Sequence, residues 1–83
     1  MLHVCDVKVR GPHRLWLRFT DGAEGEIDLG QQLTGPIFQA LRDPSAFAAV
    51  RIDPEMHTIA WPNGADFAPE FLRSLLDGNA TVS

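Results

Sequence analysis

Thr58-Ile59-Ala60-Trp61-Pro62-Asn63-Gly64-Ala65-Asp66-Phe67-Ala68-Pro69-Glu70 decides the fold, because within this stretch an apolar strand gives way to a turn and then to a helix. Ile59 and Trp61 share one side of an extended segment, as alternate residues of a strand do. Pro62 has no N–H to give to a ladder and stops the strand. Asn63-Gly64 supplies the positive backbone angles of a turn. Pro69 suits the first position of a helix, which leaves Ala68, a poor cap, in front of it. Asp66 is expected to take over the capping, or Glu70 to favour the positive helix end. Phe67, Phe71, Leu72, Leu75 and Leu76 then form one apolar stripe. Asp77-Gly78-Asn79 is expected to end the helix, with residues 79–83 as a disordered tail beyond a single domain over 1–78.

Upstream of this stretch, Val50 and Ile52 flank Arg51 on a common face. A four-residue loop, Pro54-Glu55-Met56-His57, opposes Ile52 to Ile59 and Val50 to Trp61 and makes an antiparallel hairpin. Further back, Pro36 opens a helical stub with Ile37, Phe38 and Leu41, and Asp43-Pro44 restarts a second one anchored by Phe47. Phe38, Leu41 and Phe47 are expected to lid one face of the sheet.

The N-terminal third alternates with a period of two. Cys5, Val7 and Val9 point one way and Asp6, Lys8 and Arg10 the other; after the turn at Gly11-Pro12-His13, Leu15, Leu17 and Phe19 oppose Arg14, Trp16 and Arg18. Ile27 and Leu29 face inward in the third strand. A two-residue Asp21-Gly22 loop would set Leu17 against Glu26 and drive carboxylates into the core. A three-residue loop, with Gly22 in the left-handed conformation of a bulge, instead pairs Leu17 with Gly25 and Leu15 with Ile27. The outer face then carries Asp6, Arg18, Glu24, Lys8, Trp16, Glu26, Arg14 and Asp28. The fold predicted is α+β: a small, mostly antiparallel sheet of about five strands (a three-stranded meander plus a second hairpin), short central helices and a C-terminal helix.

Composition narrows the function. Eighty-three residues make one domain, burying roughly 60–65% of the surface of its unfolded form. The formal net charge is −4, with seven basic residues dispersed along the chain. Affinity for nucleic acid draws on clustered Lys and Arg, so direct binding is not expected. Cys5 is the only cysteine, so no internal disulfide forms and a cytoplasmic setting is expected. No stretch reads as a signal peptide or a membrane span.

The Trp61-Pro62-Asn63-Gly64-Ala65-Asp66 run with Pro69-Glu70 resembles a bacterial family known as domain of unknown function 2442. The resemblance extends to Phe19-Thr20-Asp21-Gly22, to Ile27-Asp28-Leu29, to Phe38 and Leu41 before Phe47, and to Ile52-Asp53. It covers nearly all of residues 2 to 76. It implies an α+β domain without an established activity. Some members carry a helix-turn-helix domain after it, which is not expected within these residues. Others look like companions of small toxin-like proteins, which implies an antitoxin-type binding role.

Candidate chemistry is sparse. Asp66, Glu70 and Asn63 could hold a cation or do acid–base work, against a simpler reading as groups that satisfy a helix start. Trp61 could be a stacking platform, against a core residue whose indole N–H needs a partner. Trp16 could centre a docking face, against a solvated face of paired charges. His3, His13 and His57 have no ligand spacing, and the glycines form no phosphate loop, so no cofactor, metal or catalytic residue is assigned. The expectation is a non-catalytic protein-interaction module, antitoxin-like, bound to a protein partner or to itself. The alternatives are a small-molecule or metal-binding protein using Trp61, Asn63, Asp66 and Glu70, and an accessory to transcription acting through a separate DNA-binding chain.

Overall fold

Alternation in the N-terminal third builds the first sheet. The computed structural model describes residues 1–81, with side chains through residue 78. Strands β1 (Val4–Gly11), β2 (Arg14–Phe19) and β3 (Glu24–Asp28) pair in sequence order. Leu17 lies opposite Gly25, Leu15 opposite Ile27, Arg18 opposite Glu24, Trp16 opposite Glu26 and Arg14 opposite Asp28, the register of the bulged hairpin. The Phe19 N–H donates to Ala23 O at 2.9 Å, the Gly22 N–H to Phe19 O at 3.1 Å, and Gly22 sits at φ 89°. Asp6 opposes Arg18 and Lys8 opposes Trp16, as expected.

One face of β1 departs from expectation. The register slips between Val4 and Asp6, so Cys5 is the extra residue of a bulge and is exposed. Val4 takes the inward position at 3% exposure, and Val9 is 43% exposed.

The strands divide between two sheets rather than forming one of five. β4 (Arg51–Asp53) and β5 (Thr58–Ala60) make a separate hairpin with Ile52 opposite Ile59. The ladder ends at the Arg51–Ala60 pair, so the Val50–Trp61 pair does not form within it. Val50 has turned away: its N–H donates to Phe47 O at 3.3 Å. The two sheets meet where the Val4 N–H donates to His57 O at 2.9 Å. His57 holds φ 55°, and the Asp53 carboxylate accepts from the Glu55 and Met56 N–H groups at 2.8 and 3.0 Å, which closes the turn.

Between the sheets run helices α1 (Pro36–Gln39) and α2 (Pro44–Phe47) with 3-10 turns at Gly30–Gln32 and Ala40–Arg42. Proline opens each helix, where its missing N–H costs nothing. Leu41 and Phe47 are buried and Phe38 packs against the core, but Ile37 is 45% exposed. Asp43 occupies the cap position of α2 without capping it; its carboxylate accepts from the Ser45 hydroxyl instead.

Helix α3 (Pro69–Thr81) closes the core, with Leu72 buried and Leu75 and Leu76 half-buried. Phe71 is 37% exposed and leaves the inward stripe. The helix runs through Asp77-Gly78-Asn79 because Gly78 does not adopt the left-handed conformation that would stop it. Of the disordered tail expected over 79–83, residues 79–81 continue the helix and the last two lie outside the described residues. Arg73 ties α3 to the first sheet through Asp21 at 3.0 Å, and it also pairs with Asp77 one turn on.

Candidate functional site

The turn after β5 is fixed by its own backbone. The Gly64 N–H donates to Trp61 O at 3.0 Å and the Trp61 N–H to Ala65 O at 2.9 Å. Pro62 therefore occupies the second position of the turn, where its fixed φ fits. Gly64 alone takes the positive angle, at φ 90°, while Asn63 does not. Ala60 and Asp66 then pair in an isolated bridge that leads toward α3.

Trp61 is 1% exposed and its indole N–H donates to Phe47 O at 2.9 Å. The indole lies 5.7 Å from the Phe47 ring and edge-on to Phe67 at 6.0 Å. Its place in the core, with the polar tip satisfied by a backbone carbonyl, is that of a packing residue whose edge reaches one groove.

Asn63 is also committed to structure. Its amide donates to Ile37 O at 2.9 Å, and its carbonyl accepts the Ala65 N–H at 3.0 Å. One side chain thus locks the turn and fastens it to α1. Asp66 is half-buried and Glu70 exposed, and neither carboxylate makes a hydrogen bond or ion pair among the described residues. The expected cap from Asp66 to the helix start is therefore absent there. No group of three or more His, Cys, Asp or Glu gathers among the described residues in a way that could hold a metal ion.

Trp16 stands apart from the others. It alternates with the buried Leu15 and Leu17, so the sheet separates it from Trp61. Lys8 Nζ lies 5.1 Å from its ring centroid, a cation–π contact. On the same face, the Asp6 carboxylate accepts the Val7 N–H and that of Asp28 accepts the Gly30 N–H, both at 2.8 Å.

The feature that spacing did not reveal is a groove of about 240 Å³ lined by Ala40, Leu41, Ala46, Ala49, Trp61, Pro62 and Asn63. Three alanines line it, and an alanine does not announce a groove in a sequence, because the same small residue serves a helix, a turn or a core equally. Phe67, which meets the Trp61 ring edge-on, belongs to a ladder of rings. Phe38 stacks on Phe67 at 4.8 Å, and Phe67 stacks on Phe71 at 5.6 Å.

The perturbed titrations lie outside the groove. Asp21 is held below the usual carboxylate range, first by the Ala23 N–H and then by Arg73. Asp53 is lowered by the Met56 and Glu55 N–H groups. The guanidinium of Arg73 is raised by Asp21 and Asp77.

No helix among the described residues is long and apolar enough to cross a membrane. Among curated proteins none matches the chain. A solved structure from Nitrosomonas europaea, named "Putative DNA Binding Protein", is similar at 25% identity and a TM-score of 0.84, covering 96% of this chain and 52% of that one. The chain thus spans about half the length of that relative. The model of a protein family of unknown function, DUF2442, matches residues 4–76, a span that takes in both sheets, α1, α2 and the first turns of α3, and the chain belongs to that family.

Proposed function

We infer that the protein is a non-catalytic interaction module of the cytoplasm that receives an apolar side chain of a partner protein in the groove beside Trp61. One observation carries this reading: the groove is apolar, and the side-chain polar groups at its rim are each already engaged within the fold. The indole N–H of Trp61 donates to Phe47 O, the side-chain N–H of Asn63 donates to Ile37 O, and the Asn63 Oδ1 accepts the Ala65 N–H. A polar metabolite finds no convergent donors or acceptors there, whereas small-molecule sites ordinarily supply a few. An apolar knob needs none, and such pockets are where interface energy concentrates.

A second reading is favoured by the Nitrosomonas europaea relative, whose name concerns DNA binding. In that reading the domain serves a DNA-binding chain as an accessory, and the groove is where that chain docks. An antitoxin-like role fits the same geometry with a different partner.

The test is co-purification from the host with a tag on the chain. One protein retained at a fixed ratio, released by Ala49→Glu but not by Thr34→Glu, supports the reading. Ala49 and Thr34 are both exposed, so neither change disturbs the core. Retention indifferent to Ala49→Glu, or no retained protein, contradicts it.

A further inference from the structure

We propose that the groove and the ring ladder together form one docking track for a basic amphipathic segment of a partner protein, a helix or strand bearing large apolar side chains flanked by Lys or Arg. The proposal rests on the interaction-module reading and adds the chemistry of the occupant.

The track is continuous by contact. Trp61 lines the groove and meets Phe67 edge-on at 6.0 Å. Phe67 lies between Phe38 and Phe71 in a stack. Asn63, on the groove wall, is bonded to Ile37 O. Ile37 and Phe71 are 45% and 37% exposed, two of the five large apolar side chains open to solvent among the described residues. Stacked rings left open to water on one side lose contacts that a partner restores, and aromatic anchors dominate such interfaces.

Charge selects the occupant. Asp66 and Glu70 flank Phe67 and Phe71 in sequence at the start of α3, and neither carboxylate has a partner among the described residues. Arg73, the one basic residue of α3, is shared between Asp21 and Asp77 and pairs with neither Asp66 nor Glu70. Two free carboxylates beside an apolar track, on a chain of net charge −4, complement Lys or Arg and repel an acidic segment.

The probe is a short amphipathic peptide of leucine and lysine, compared with its leucine–glutamate counterpart, added to the labelled full chain while amide shifts are followed. Expected are shifts at Ile37, Phe38, Phe67 and Phe71 and at Ala40 and Ala49, with the lysine peptide only. Asp66→Asn with Glu70→Gln weakens that binding about fivefold to tenfold, the effect of losing two exposed ion pairs, and leaves the unfolding midpoint near that of the parent. Equal binding of the glutamate peptide, shifts confined to the face of Trp16, or self-association through the ladder without peptide would each overturn the proposal. A host partner that is sensitive to Ala49→Glu yet binds independently of Asp66 and Glu70 would sink this inference and leave the interaction-module reading standing.

Discussion

Trp61 shows how much of this domain turns on single polar atoms. Its ring fills the core and its N–H answers the carbonyl of Phe47. Trp61→Phe keeps most of the apolar area but removes one of the two donors to Phe47 O and leaves only the Val50 N–H at 3.3 Å, a loss of about 0.5–1.5 kcal/mol; urea unfolding should register it as a lower midpoint with little change in slope. Asn63→Ala frees both the turn and its tie to α1 and should cost about 1–2 kcal/mol for two modest hydrogen bonds, while leaving far-UV dichroism unchanged. The titrations of Asp21 and Asp53 have a definite sign. Both carboxyls are lowered in the fold, so the native state holds fewer protons than the unfolded chain. Their contribution is therefore complete above the ordinary carboxylate pKa and is lost as pH falls through the lowered folded values. Asp53→Asn should lower the midpoint at neutral pH and flatten the acid limb of a stability–pH profile; an unchanged acid limb would refute the assigned cause.

At the scale of elements, the legible parts were those where a shift of one residue would turn a charge into the core. The β2–β3 register is one: only the bulged loop keeps Glu24 and Glu26 outside, and that pairing is present. Gly22→Ala should cost about 1–2 kcal/mol because an alanine there must hold the left-handed angle, and a thermal melt measures it. The slip in β1 was not legible, because Val4 and Cys5 are both apolar and alternation cannot say which of them faces inward. The end of α3 lies beyond Asp77-Gly78-Asn79 for a related reason: glycine stops a helix only when its backbone turns left-handed, and Gly78 stays helical. Gly25, by contrast, marks a close approach. A Cβ there would lie 2.6 Å from Leu76 Cδ1, so Gly25→Ala should destabilise the packing of α3 on β3. The same change in a Leu76→Ala background should cost less, and a double-mutant cycle reads the difference. A cycle with zero coupling would contradict the contact.

On the scale of the whole molecule, the α+β class and the order of its elements followed from periodicity and turn residues, while the separation into two sheets did not. Sheet continuity depends on long-range pairing, and here β1 reaches the second hairpin by the Val4–His57 bond and by shared core side chains. The candidate site was legible only in part. Trp61, Asn63, Asp66 and Glu70 do fall along one turn and helix start, but the first two are held by bonds within the fold, and the alanines that line the groove do not distinguish a groove from a helix or a core in sequence. Trp16 belongs to the opposite face of the first sheet. What remains at the surface is an apolar groove and a ring ladder, with the carboxylates of Asp66 and Glu70 unpaired among the described residues; in the proposed function these form a binding face. Amide hydrogen exchange on the chain alone and with the protein retained on co-purification tests this proposal most directly. Slowed exchange over residues 37–49 and 61–71, with the strands of the first sheet unchanged, is the predicted result. Exchange unchanged there, or slowed only along the Lys8 and Trp16 face, would contradict the account.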